Sequence, residues 1–447
     1  MSRRDIALKY FEQDNPYIKT RIESGIELNR KGNATIVLKS QNGEPLPEDI
    51  TVSVKQVNHE FKFGANIFML DEFETQEDNE TYREKFAEIF NLATLPFYWS
   101  TLEPEQGKPR YEIGSPRIYR RPTPDLCIAY CKEKGIEPKC HCLNYDTESP
   151  KWYINLTVEE CKQKLIERFT QISQRYSKDI PSFEVTNETL KEGFSKFFYE
   201  DDFVEWSFKT ADRIFPNNRL IINDFKYWLP NVSSNRNLYY MQIERLLRSG
   251  HRVDSIGLQF HCMFGSKQLD MNVTRAAEEE RAKTWYNPEV LFQLLDTFGK
   301  FGIAEQITEM TVSALSEEAE DEEVQAELMK HMYRLFFSHP AMEAVIYWNV
   351  VDGYAASAKK GDMTRGENRF YGGLLRHDLS EKPAFKMLKK LIHEEWNTQT
   401  TVKAADGKAE FRGFYGDYKV VVHANGKEIP AKIFLSKNKK NTFEIKI

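Results

Sequence analysis

The 447-residue chain lacks several features, and each absence narrows what it can be. No apolar run approaches the ~18 residues that a membrane span needs, so no spanning helix is expected. The N-terminal stretch MSRRDIALKYF has no apolar signal core. Either the protein is intracellular or its signal is not part of this chain; a secreted or periplasmic protein is the expectation, with a cytoplasmic protein as the alternative. No basic stripe stands out and the formal net charge is −6, which argues against nucleic acid as a partner. No glycine-rich phosphate loop follows the first candidate strand, which weakens a dinucleotide-binding reading. There are only six cysteines, Cys127, Cys131, Cys140, Cys142, Cys161 and Cys262, and no paired CxxC spacing. A zinc site with His141 is conceivable on composition, but buried free thiols are the expectation. Six Asn-x-Ser/Thr sequons occur, one of them Asn187-Glu188-Thr189, and all are read as chance matches.

What is present is an ordinary apolar content of 40% and a high aromatic content of 13%. Most of those rings are expected in the core, so the aromatic content alone points to no function. The length exceeds one small domain and suits a barrel of about 250 to 350 residues with smaller attachments.

Residues 17–60 read as β, from the alternation in ATIVLK and TVSVKQV and the turn at Asn42-Gly43. Residues 400–447 read as β as well, with turns at Asp406-Gly407, Gly416-Asp417 and Asn425-Gly426. Alone, each end would leave an apolar face and open edges exposed. The two segments, 1–60 and 397–447, are therefore expected to form one small β-sandwich-like accessory domain. Between them, over 61–396, strand-then-helix repeats indicate parallel α/β structure. Eight strand candidates fall at 61–68, 92–99, 137–145, 182–188, 219–225, 255–261, 304–310 and 344–352. Several are continuously apolar until polar residues appear at their C-terminal ends. That pattern fits a (β/α)8 TIM barrel, whose strands are buried on both faces and whose site lies at the C-terminal rim.

The chemistry is read from what each strand brings to that rim. Strand 3 brings His141, Asn144 and Tyr145, strand 4 Asn187-Glu188, strand 5 Asn223-Asp224, strand 6 Gln259 and His261, strand 7 Glu309, and strand 8 Trp348. Carboxylates on strands 4 and 7 face each other across a barrel mouth. A retaining glycosidase needs two such groups about 5–5.5 Å apart, one protonated and one ionised. Gln259 and His261 are expected to hold the nucleophile, and Asn187 to bond the sugar 2-hydroxyl. One glutamate at a strand end is often an ordinary ion-pair partner. The joint placement of Asn-Glu, Gln-x-His, Thr-Glu and Trp at successive strand ends is much harder to reach by chance.

With those residues in view, the chain resembles glycoside hydrolase family 10, the endo-β-1,4-xylanase family. The resemblance rests on FGANI, WSTLEPEQGKPRYE, FEVTNE, INDF, SIGLQFH, QITEM, YWNVVD and GGLLRHDLSEKPAF, in that order over about 60–396. It implies a retaining mechanism with Glu188 as acid/base and Glu309 as nucleophile, Asn187 beside the acid/base, and no metal or organic cofactor. It matches His141, Gln259 and His261 to the surrounding hydrogen-bond shell and Trp348 to an aromatic wall, and Asn144, Tyr145 and Trp99 are expected to bind substrate beside them. Two departures stand out. FNLATLPFYW is apolar where the family carries an Asn, an acid and a Lys, and Asn144-Tyr145 replaces a Trp-His pair. The glycone side is thus rebuilt, and Tyr354 is the nearest candidate for a second aromatic after strand 8.

The expected substrate is a β-linked plant-type polysaccharide or oligosaccharide. The rivals are the same mechanism on a non-xylan β-glycan or from chain ends, and a catalytically silent carbohydrate-binding protein. The segment 267–285 is expected either to cover part of the cleft or to form an extra surface helix.

Overall fold

The computed structural model describes residues 2–225, 236–263 and 275–447. They fall into two compact units. The first comprises the described residues up to Gln13, Phe63–Met332 and Ala341–Phe385; the second comprises Asp14–Lys62, Tyr333–Pro340 and Lys386–Ile447.

The first unit is a closed barrel of eight strands. In chain order they are β1 (Lys62–Asn66), β2 (Leu92–Pro96), β3 (Glu137–His141), β4 (Ser182–Asn187), β5 (Arg219–Asp224), β6 (Ser255–His261), β7 (Ala304–Thr311) and β8 (Met342–Tyr347). Neighbouring strands pair in parallel from β1 round to β8. Every residue of β2 and of β4 is buried, because helices cover the outside and side chains fill the inside.

The covering helices have local causes. In Val158–Tyr176, Thr157 and Glu160 exchange side-chain-to-backbone bonds in a capping box. That helix buries Leu165, Phe169 and Ile172 on one stripe, the three- and four-residue spacing of an amphipathic helix. Pro124–Lys134 starts with proline in its first turn and stops at Gly135, whose φ of 68° ends the helix in the left-handed region. All six cysteines are free and buried. Among the described residues, no helix is long and apolar enough to cross a membrane.

Part of the segment 267–285, namely 267–274, lies outside the described residues. The rest is not an extra surface helix: Arg275–Thr284 is a helix, but Ala277, Glu278, Arg281 and Ala282 are buried, so it is a packed element. Arg3 anchors the N-terminal residues in this unit through Glu278 at 3.1 Å and the carbonyls of Ser313 and Ala314.

The second unit holds two sheets. One has three strands in the order Lys408–Phe414, Lys31–Lys39, Thr442–Lys446. The other has four, in the order Gln399–Lys403, Thr51–His59, Gly416–Ala424, Lys427–Leu435. Ile36, Val52, Val54, Ala409, Val422 and Leu435 form a shared apolar core, so strands from both chain ends complete one domain.

The β reading of 17–60 is corrected over its first part, since Pro16–Arg30 is an α-helix. Pro16 sits at the first helical position and Asn15 caps the Ile18 N–H at 3.2 Å. Ile18, Ile26 and Arg30 supply its buried face. The alternation in ATIVLK belongs only to the strand that follows.

Candidate active site

The rim of the barrel gathers polar side chains from five strands, β3 to β7, and irregular pairing lets them converge. The β4–β5 register shifts between Glu184 and Thr186, so Glu184 and Asn187, three residues apart, both reach the Asn223 amide. A second shift, between Leu258 and Gln259 on β6, faces Ile307 and Glu309 on β7. Thr308 and Glu309 are adjacent, yet both bond Asn223, which a regular strand with alternating side chains would forbid.

Asn223 is the hub. Its Nδ2 donates to Glu309 Oε1 at 2.9 Å and Asn187 Oδ1 at 2.8 Å, with Glu184 Oε2 at 3.4 Å; its Oδ1 accepts from Thr308 Oγ1 at 2.7 Å. The other oxygen of Glu309 lies 3.1 Å from His261 Nε2. Burial lowers the proton affinity of His261, but its bond to Glu309 and that carboxylate's charge more than offset this, and its pKa is raised.

Glu188 stands one residue past β4 with φ of 51°, a left-handed conformation unfavourable for a side chain with a Cβ. The chain is held there by its own N–H on Asn223 O at 3.1 Å. The buried Asp224 carboxyl adds to this by accepting the next amides, Thr189 at 2.8 Å and Leu190 at 3.3 Å. Burial raises the Asp224 pKa to about 7, against the pull of those amides and with a contribution from the Glu188 charge. Tyr145 and Lys191 both donate to Glu188 Oε2, and Gln259 Nε2 donates to Oε1 at 3.3 Å. Lys191 Nζ also lies 3.0 Å from the Tyr145 hydroxyl.

Gln259 Nε2 reaches Asn187 Oδ1 at 3.0 Å as well. The two carboxylates are therefore linked through three amides, those of Gln259, Asn187 and Asn223. With its Oδ1 taken twice, Asn187 has Nδ2 to offer to a ligand. Beneath this layer the Glu184 carboxylate takes the Lys139 ammonium at 2.5 Å and bonds His141 Nδ1. Burial alone would raise the Glu184 pKa, but Lys139 and His141 bring it down to about 2. Burial likewise opposes a charged His141, and the Glu184 charge and hydrogen bond overcome it. His141 Nε2 meets the Tyr98 hydroxyl at 3.1 Å. Phe68, Tyr98 and Trp348 pack into one aromatic wall with Tyr145 against it.

His141, Glu184 and Glu309 also bring ligand-type atoms within 4.8 Å of one another, a metal-compatible spacing. The Lys139 ammonium already supplies the positive charge that a cation would bring to Glu184.

Of the expected site residues, Glu188, Glu309, His141, Tyr145, Asn187, Gln259, His261 and Trp348 come together here. Two do not. Asn144 donates to Ser207 Oγ at 3.0 Å, on the helix side of the strand layer. Trp99 packs among Trp152, Tyr153 and Arg168, and its neighbour Tyr98 takes the place at the site. Gln259 bonds Asn187 and Glu188 and not the Glu309 side, so His261 and Asn223 hold Glu309. Sequence reasoning missed Lys139, Glu184, Tyr98 and Lys191. Charged residues inside otherwise apolar strands were the available signal for the first two; for Lys191, in a loop, there was none.

The profile described as Glycosyl hydrolase family 10 matches residues 55–391. The chain belongs to this family. Among curated relatives, the chain is similar to Endo-1,4-beta-xylanase 1 of Arabidopsis thaliana, 24% identical over 388 residues, covering 83% of this chain and 34% of that protein. Anti-sigma-I factor RsgI6 of Acetivibrio thermocellus is 24% identical over 410 residues, 89% of this chain and 46% of that one. The chain thus spans about a third to a half of the length of these relatives. Among solved structures, xylanase 10B from Thermotoga petrophila in complex with xylobiose has a TM-score of 0.57 at 19% identity, covering 75% of this chain and 95% of that one. Native xylanase 10B from Thermotoga maritima gives 0.56 at 20%, over 75% and 96%. Those structures share the barrel fold of this family 10 chain.

Proposed function

We propose that the protein is a retaining glycoside hydrolase of the xylanase type, with Glu309 as nucleophile and Glu188 as acid/base, acting on a β-linked plant-type glycan. The observation that carries this reading is the pair of carboxylates at the ends of β4 and β7, joined through the amides of Gln259, Asn187 and Asn223. Their settings differ, as two distinct roles require: Glu309 is held by an amide and an imidazole, Glu188 by an ammonium, a phenol and an amide.

In the first step a Glu309 oxygen attacks the anomeric carbon and forms an ester bond. The glycosidic C–O bond breaks, and the departing oxygen takes its proton from Glu188. In the second step Glu188 takes a proton from water, whose oxygen attacks the same carbon and releases Glu309 as carboxylate. Two inversions give net retention. Asn187 offers its Nδ2 to the sugar 2-hydroxyl, and the Trp348 wall receives the ring. Action on an extracellular polymer suits a secreted or periplasmic location.

The decisive experiment treats the protein with a deoxyfluoro glycoside that traps the ester, then maps the label. The label is expected on Glu309, with Glu309→Gln and Glu188→Gln each lowering turnover by roughly 10²–10⁴-fold or more. Label on another residue, or wild-type rates in both variants on every active substrate, would sink the assignment. A screen across xylan, mixed-linkage glucan, arabinogalactan and aryl glycosides identifies the backbone. The Lys191–Glu188 ion pair favours a second reading, a carbohydrate-binding protein on the same barrel, because an ion-paired carboxylate serves binding too. Sugar binding without release of reducing ends would select that reading.

A further inference from the structure

We propose that the glycone side of the cleft binds a sugar bearing a carboxylate, a uronic acid, on the guanidinium pair Arg120–Arg121. The inference rests on the glycosidase reading only in calling that side the glycone side; the binding itself can be tested without turnover.

Both arginines belong to the loop between β2 and the helix Pro124–Lys134. Arg110 ties that loop together by donating to the carbonyls of Pro116 at 2.6 Å, Thr101 at 2.8 Å and Arg121 at 3.3 Å. Arg117 is spent on Glu72 at 3.0 Å. Arg120 and Arg121 are differently placed. Arg120 adopts a φ of 59° and is only 7% exposed, with its guanidinium 6.0 Å from the Phe68 ring. The Arg121 guanidinium lies 4.3 Å from the Tyr98 ring and 5.3 Å from that of Phe68. Both cations therefore sit on the aromatic wall that carries Trp348 and touches His141.

Among the described residues, neither arginine forms an ion pair with a carboxylate. The buried Nε of each finds no hydrogen-bond partner among the described residues. The acidic groups around them bond other side chains: Glu72 the Arg117 guanidinium, Glu148 the Ser100 hydroxyl at 2.8 Å, and Glu367 the Asn349 amide at 3.0 Å, so that the Glu367 charge is felt by Arg120 without an ion pair to it. Two neighbouring guanidinium groups repel, and burial sharpens the repulsion. A planar carboxylate is the ligand whose geometry and charge answer a guanidinium fork, while the ring faces of Phe68 and Tyr98 suit the C–H face of a pyranose. From Leu92 to Phe97 the only polar side chain is Thr94, and it is buried, so little there grips neutral hydroxyls.

The test compares matched acidic and neutral sugars: nitrophenyl β-glucuronide with nitrophenyl β-glucoside, and aldobiouronic acid with xylobiose. Affinities are measured by calorimetry on the full-length Glu309→Gln protein at low and high salt. The acidic member of at least one pair is expected to bind ~10–100-fold more tightly. Added salt narrows that preference, and Arg121→Gln and Arg120→Gln collapse it to ~2-fold or less, while Arg121→Lys retains part of it. Thermal melting checks that each variant is folded, and Arg121, which is partly exposed, serves if the Arg120 variant is not. Equal affinity within every pair, or an acidic preference that survives both glutamine variants, overturns the proposal. If neutral glycosides label Glu309 and uronates show no preference, this inference alone falls. If no glycoside labels Glu309, the glycosidase reading falls while the calorimetry still decides the arginine pair.

Discussion

Replacing Glu184 by glutamine keeps the side chain's shape and removes its charge. The cost can be worked out in two ways. The carboxylate is 1% exposed and faces an ammonium, Lys139, that is 0% exposed, with His141 on its other oxygen. Taking away one member of a buried pair leaves an uncompensated charge, which costs about 3–5 kcal/mol. Independently, the Glu184 carboxyl is held at about 2 against an ordinary 4.5. At ~1.4 kcal/mol for each tenfold change in proton affinity, that gap converts to about 3 kcal/mol. The two routes agree.

The sign over pH follows from the direction of each change. The Glu184 value is depressed on folding, so its stabilisation is whole above 4.5 and lost as pH falls toward 2. The His141 value is raised, so its stabilisation is present below 6.5 and lost as pH rises through the folded value. Urea unfolding of wild type and Glu184→Gln, stepped from pH 8 to pH 3, is the assay. The variant's midpoint is expected ~1 M lower at mid-range pH, and the gap should narrow toward pH 3. A variant within ~0.5 kcal/mol of wild type throughout, or one with the same acid slope, would refute the argument that this pair is energetically coupled.

Three further outcomes are expected. Gly257→Ala places a Cβ 2.5 Å from Asn223 Oδ1 and 3.0 Å from the Ile222 carbonyl. Steady-state assays should then show a ~10²-fold loss of turnover, with a melting midpoint that drops only modestly. Tyr145→Phe removes one charge-assisted bond to Glu188 and should lower kcat by ~10–100-fold while circular dichroism stays unchanged. Leu435→Ala opens the fully buried core of the accessory unit and should cost ~2–5 kcal/mol in denaturant melts, leaving turnover of small aryl glycosides as in wild type.

The barrel was largely legible because its signals are long and redundant. Ser255–His261 falls where the apolar pattern places it, and the remaining strands differ by a few residues at their ends. The site was legible where polar side chains break an apolar strand at its C-terminal end, as Glu309 and Gln259 do. Two kinds of information were hidden. Register shifts beside Glu184 and Thr308 decide which neighbours share a face, and a period-two reading cannot locate them. Rotation about single residues is equally silent: Trp99 and Tyr98 are adjacent, and only the fold decides which ring meets His141. The helix Pro16–Arg30 was missed because its moderate amphipathicity was overruled by the strong alternation just after it.

A barrel that closes on itself has no open strand edge, so among the described residues the outer strands of the two open sheets bear that exposure. Those four strands read KAEFRGF, TFEIK, QTTVK and KEIPAKIFL, and each contains lysine. The last also carries Pro430, which cannot offer an N–H to an incoming strand. A second chain trying to add itself to either sheet would meet cations and a missing donor. The protein can therefore keep extended, apolar-cored sheets at its surface without inviting fibrous self-association.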